Sequence, residues 1–233
     1  MSENKRSKIY LVGGSKGGVG KSMVTMAIVD MLAERREKIL LVESDTSNPD
    51  VWKSHKDLHE SMLIDLDKSD GWVELVNAAN DKPDHVVVIN TAARSNRGVA
   101  NYEVTLQSTL QEMKRDLVTL WVINRQKDSL ELLREFLETI TEGDVHVIRN
   151  GYFGQSAEKF QLYESSKLKG MIEERGGKSL MFPDLGDRVT DDLYVRRLAI
   201  CKAALELPLG NRAELNRWRT ELRKPTALGG VIS

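Results

Sequence analysis

The sequence predicts an α/β fold: a doubly wound, mostly parallel sheet with helices on both faces. Strand-sized apolar runs alternate with helical patterns along the 233-residue chain. One of them, Asp84–Asn90, is apolar without alternation through Val86-Val87-Val88-Ile89, as a parallel strand buried on both faces must be. A glycine-rich loop, Gly17-Gly18-Val19-Gly20, lies between the first apolar run and the first helical pattern. Crossovers are then right-handed, and a ligand belongs at the carboxyl ends of the strands, where that loop already is. No repeat, linker or low-complexity stretch divides the chain. One domain is expected over 1–233, with residues 1–7 and 225–233 loose.

Taken in order, Ile9–Val12 reads as the first strand and Lys21 to about Arg36 as a mostly apolar helix. Lys38–Glu43 is the second strand and Met62–Leu66 the third. Trp72–Ala79 is a helix capped by Ser69 or Asp70. After the strand at 84–90 come a helix over Asn101–Arg115, a strand over Leu117–Asn124, and a helix from Asp128-Ser129 to about Ile140. Val145–Arg149 is a strand, followed by helices from Ser156 and over Leu168–Arg175, and by a short strand at Ser179–Phe182. Helices over Thr190–Leu205 and Asn211–Arg223 complete the chain.

Composition narrows the class. With 40% hydrophobic and 30% charged residues this is an ordinary globular composition. The net charge of −1 gives no global attraction to nucleic acid, so DNA contact would need a local basic patch. The single cysteine, Cys201, excludes an intrachain disulfide and reads as a buried structural thiol. Residues 1–8 are polar and basic without an apolar core, and no apolar run is long enough to span a bilayer, so a cytoplasmic protein is expected.

The chemistry starts at Ser15-Lys16-Gly17-Gly18-Val19-Gly20-Lys21-Ser22. Glycines let the backbone curl around phosphate oxygens, and the following helix adds unpaired N–H donors and a favourable dipole. In such a loop Lys21 reaches the β- and γ-phosphates and the Ser22 hydroxyl sits on Mg²⁺. Ser15, Gly17, Gly18, Val19, Gly20 and Met23 complete the phosphate-binding set. Ser15 stands where the common motif has glycine, and no G-x-G-x-x-G register fits the loop.

A second lysine inside the loop, Lys16, resembles the deviant Walker A motif of the ParA/MinD family of ATPases. The resemblance implies a P-loop ATPase with ATP and Mg²⁺ as cofactors. It implies that Lys16 crosses an ATP-dependent homodimer interface to the partner's nucleotide. It also implies an acidic segment after the second strand, here Glu43 and Asp45, with Asp45 orienting the attacking water and both near the metal. The strand Val86–Ile89 should end in an aspartate that holds the Mg²⁺ shell, but this chain has Asn90, which brings no charge. Weakened Mg²⁺ binding and slow turnover are therefore expected. Asn150 matches the family's strand-end asparagine at the adenine edge, and Pro183-Asp184 the loop whose backbone flanks the base.

The glutamate of a zincin is missing between His55 and His59, which read as solvated surface, and Asp65-x-Asp67 reads as strand-end alternation. On the C-terminal helix, Leu215, Trp218 and Leu222 form an apolar stripe beside Arg212, Arg217, Arg219, Arg223 and Lys224. That helix reads either as a core-docked element with a solvated basic face or as a nonspecific DNA contact of the ParA kind. Pro225 and the nearly uncharged tail argue against the amphipathic membrane anchor of MinD relatives.

Within the family the chain is most similar to short plasmid stability or conjugal-transfer ATPases of the StbB and TraL types. Three functions stay open: an ATP-driven switch in plasmid partition, stability or transfer; a nucleotide-binding scaffold for an adaptor or transfer protein with little hydrolysis; and a metabolic ATP-dependent enzyme of the dethiobiotin synthetase kind. Iron–sulfur reductases of the superfamily need two cysteines per subunit and do not fit.

Overall fold

The computed structural model describes residues 6–14, 17–92, 102, 104–140 and 143–232. Seven parallel strands form one sheet in the order β3-β2-β4-β1-β5-β6-β7. These are β1 Ser7–Gly14, β2 Lys38–Glu43, β3 Glu60–Leu63, β4 His85–Asn90, β5 Arg115–Ile123, β6 Asp144–Asn150 and β7 Ser179–Phe182. The helices are α1 Lys21–Glu34, α2 Asp50–His55, α3 Ser69–Asp81, α4 Lys127–Thr139, α5 Gln161–Glu164, α6 Lys167–Glu174, α7 Asp187–Val195, α8 Ile200–Glu206 and α9 Leu209–Leu222.

The doubly wound reading holds. Along β1, Tyr10 and Val12 join a core with α1, α7, α8 and α9, while Ile9 and Leu11 join another with α3, α4 and α6. Successive side chains of a strand point to opposite faces, so an unbroken apolar run is what a sheet covered on both sides selects. Arg115 opens β5 fully buried. It donates to Ser7 Oγ and to the carbonyls of His85, Ala79 and Lys82, tying the C-terminal end of α3 to the sheet.

Several expected boundaries move. β3 ends at Leu63, and Ile64 and Leu66 are buried from the loop beyond it. Lys68, not Ser69 or Asp70, precedes the first turn of α3, and no side chain caps it. The helix expected over 101–115 is helical at 102 and 104–107 and turns through 108–114 before β5; residues 101 and 103 lie outside the described residues. The helix expected over Thr190–Leu205 is two helices. Arg197 takes a left-handed conformation (φ 51°), Leu198 N–H returns to Leu193 O and Arg197 N–H to Tyr194 O, a Schellman closure.

The loose ends are also corrected. Ser7 already belongs to β1. In the tail, Ala227, Leu228, Val231 and Ile232 are buried. Thr226 O accepts Met181 N–H of β7, and Arg35 Nη2 donates to Ile232 O at 2.8 Å. The apolar residues of a tail that the sequence shows only as uncharged complete the core beside β7.

Candidate functional site

The glycine loop leaves β1 at its carboxyl end. Gly18 (φ 77°) and Gly20 (φ 103°) both take left-handed backbone, the conformation that makes glycine necessary there. Gly20 is the N-cap of α1, no side chain caps that helix, and its first turn holds no acid. Val24 N–H donates to Gly20 O in its first turn, and the amino end of such a helix favours an anion. Ser22 is half-buried in this turn. Lys21 is only 7% exposed, and burial pushes its pKa down to about 8 against the opposing pull of Asp45 and Glu43.

Those acids come from the end of β2, beside the loop. Glu43 pairs in register with Asn90 of β4, and the two side chains meet: Asn90 Nδ2 donates to Glu43 Oε1 at 2.9 Å. The Asp45 N–H donates to the same oxygen at 2.9 Å. Glu43 Oε2 has no hydrogen bond of normal geometry, although the Trp52 N–H lies close enough to favour its charge. Glu43 has no solvent exposure, and burial pushes its pKa up to about 7. Asp45 Oδ1 accepts Asn48 N–H at 3.0 Å, closing the turn that follows.

Asn90 Oδ1 lies 3.0 Å from the Thr25 hydroxyl, which lies equally close to the Lys21 carbonyl. Asn90 thus bridges α1 to Glu43. Lys21, Glu43, Asp45 and Asn90 come together as the sequence expected; Thr25 was missed. It sits one turn after Lys21, so helical spacing alone would have put it on the same face. Ser44 was missed too: its Oγ accepts Ala92 N–H and its N–H donates to Asn90 O, locking the ends of β2 and β4 together.

Beside the loop is a cavity of about 210 Å³, walled by Gly18, Gly20, Met23, Asn150, Pro183 and Asp184, with Tyr152 and Tyr194 at its sides. The expected base-side residues therefore share one pocket. Trp218 on α9 supports its wall, donating Nε1–H to Pro183 O at 2.8 Å and meeting Phe182 edge-on. A larger cavity, about 570 Å³, opens at the opposite, amino-terminal ends of β1, β5 and β6 near Arg6, Lys8, His146 and Lys178. Volume does not decide between them, because Gly18 and Gly20 of the glycine loop line the smaller one.

Residues 10–154 match the family described as the CobQ/CobB/MinD/ParA nucleotide binding domain. The chain belongs to this family. Protein MobD of Acidithiobacillus ferrooxidans is 63% identical over 224 residues, covering 96% of this chain and 97% of that one. Protein TraL of Escherichia coli is 24% identical over 245 residues, covering 90% and 100%. Among solved structures, the MinD cell division protein of Aquifex aeolicus superposes with a TM-score of 0.55 at 15% identity, covering 93% and 96%.

For this CobQ/CobB/MinD/ParA member, Ser15 and Lys16 lie outside the described residues. The basic face of α9 is largely committed within the chain. Arg219, 14% exposed, donates to both oxygens of the buried Asp30 (2.8 and 3.1 Å) and to Glu34. Arg223 pairs with Glu34, Arg217 with Glu214 and Lys224 with Glu221, while Arg212 Nε is buried without a partner. The helix is docked by charge as well as by its Trp218 stripe.

His55 is not solvated surface. It is buried, its Nδ1–H donates to Val51 O, and burial pushes its pKa down to about 4. Asp65 lies past β3, where its Oδ1 accepts Asp67 N–H in a turn. Cys201 is half-buried, with its pKa raised by desolvation. No helix among the described residues is long and apolar enough to cross a membrane.

Proposed function

We propose that the protein binds ATP with Mg²⁺ at the glycine loop and works as a nucleotide-dependent switch in plasmid mobilisation or conjugal transfer. The observation that carries the site is the meeting of Lys21, Glu43, Asp45 and Asn90 at the carboxyl ends of β1, β2 and β4. The transfer context rests on the likeness to MobD and TraL.

The loop amides and Lys21 bind the phosphates, and Asp45 orients water. The Ser22 hydroxyl, the Glu43 and Asp45 carboxylates and the Asn90 amide are hard oxygen donors that suit Mg²⁺. Glu43 Oε2, buried without a normal hydrogen bond, has capacity to spare for such a cation or its water. Bound Mg²⁺ would neutralise charge on the phosphates.

In this reading Lys16 seals a face-to-face homodimer on ATP, and the dimer engages an adaptor or transfer protein. The ion pairs along α9 leave nonspecific DNA the weaker partner. Asn90 favours a second reading, a scaffold with little turnover, because its amide is committed to Thr25 and Glu43 and brings no charge.

Sedimentation with Mg-ATP, Mg-ADP and no nucleotide tests the switch. An ATP-only dimer that Lys16→Ala abolishes while ATP still binds supports it; an unchanged ATP-dependent dimer in that variant removes the role of Lys16. Near-zero turnover with an intact ATP dimer selects the scaffold.

A further inference from the structure

We propose that Asn150 positions the phosphate loop, so that affinity depends on it whatever base the nucleotide carries. This rests on the nucleotide reading above. Asn150 is the last residue of β6 and is buried. Its Nδ2 donates to Val19 O at 2.8 Å, and its Oδ1 accepts Tyr152 N–H at 3.1 Å. Reversing the amide would set oxygen against oxygen and N–H against NH₂, so its two neighbours fix its orientation. One N–H of the amide is committed to the loop and one lone pair of its oxygen to the turn after β6, so the side chain ties the loop to β6 by contacts that involve no base.

The contact with the loop extends to the next residue. A Cβ placed on Gly20 would lie 2.3 Å from Asn150 Nδ2, so the amide packs directly against the left-handed residue that starts α1. A peptide is planar and trans, so the Gly20 N–H points opposite to the Val19 carbonyl. By holding that carbonyl toward β6, Asn150 aims the Gly20 N–H away from β6. Freed of this restraint the Val19–Gly20 peptide can rotate, and a donor is lost from the cradle. The cost falls on the phosphates, which are common to every nucleotide.

The test is titration of wild type and Asn150→Ala with Mg²⁺ and three ligands: ATP, purine riboside triphosphate (no 6-amino group) and inorganic triphosphate. The expected result is that the variant weakens all three by one common factor, about tenfold, the scale of one buried hydrogen bond. Glycine ¹⁵N labelling adds a readout that general destabilisation does not give. Without ligand, the Gly20 amide resonance should move in the variant while those of Gly71 and Gly177 stay. Asn150→Asp keeps the acceptor for Tyr152 and opposes the Val19 carbonyl, so it should show the same pattern more strongly and serves if the alanine variant does not fold. Weakening confined to ATP would restore the base-reading role and overturn the inference, as would an unmoved Gly20 resonance. A wild-type protein that binds none of the three ligands overturns the nucleotide reading, and this inference with it.

Discussion

Glu43 shows how much one side chain of the site costs the fold. Burial raises its pKa from 4.5 to about 7. Between those values the folded state holds a proton that the unfolded state has lost, so stability falls as pH rises from 4.5 to 7. Lys21, lowered from 10.5 to about 8, acts oppositely: stability rises with pH between 8 and 10.5. Denaturant melts of wild type and Glu43→Gln should therefore differ most near pH 7, the variant being the more stable, and converge near pH 4.5. Parallel pH profiles would remove burial of the charge as the cause. Asn90→Asp sets a second carboxylate against Glu43. Without Mg²⁺ it should lower Tm by about 3–8 °C, and added Mg²⁺ should recover most of the loss. An unchanged Tm would mean that Asn90 does not offset the Glu43 charge. The sequence placed Glu43, Asp45 and Asn90 near the loop, but not the bond between residues 47 apart, which depends on the β2–β4 register. His55 shows the opposite failure: charged neighbours in sequence suggested solvent, and the fold buried it.

At the level of elements, strands were the easiest to read, because burial on both faces leaves an unbroken apolar run such as Val86–Ile89. Helix limits were harder. The break between α7 and α8 is made by Arg197 in a left-handed conformation, with no glycine or proline to mark it. The tail was misread because Leu228 and Ile232 contribute to a core assembled from distant elements, where no local period reveals them. Deleting residues 226–233 should expose the side of β7 and lower Tm by roughly 10 °C. A smaller shift than a few degrees would mean that the tail adds little to the core. Helix α9 was legible as a Trp218 stripe, but its basic residues were not legible as partners of α1. The Arg219–Asp30 pair joins two helices 189 residues apart in sequence, and a charge pattern carries no sign of what lies opposite it.

Over the whole molecule, strand order explains why a 233-residue chain needs so few residues to build its site. The carboxyl ends of β2, β4, β1 and β6 bring the acids, Asn90, the glycine loop and Asn150 to one side of the sheet. That rule of open parallel sheets is why the sequence leads one to expect a ligand on this side. The roles proposed for Lys16, for a second copy and for a transfer partner all presuppose bound nucleotide. The claim beneath all of them is that Mg-ATP binds at the glycine loop through Lys21. Calorimetric titration of Mg-ATP into wild type and Lys21→Ala tests it most directly. One site per chain is expected, weakened on the order of 100-fold by the variant without loss of folding. Equal affinity in the two proteins, or no binding by either, would contradict it.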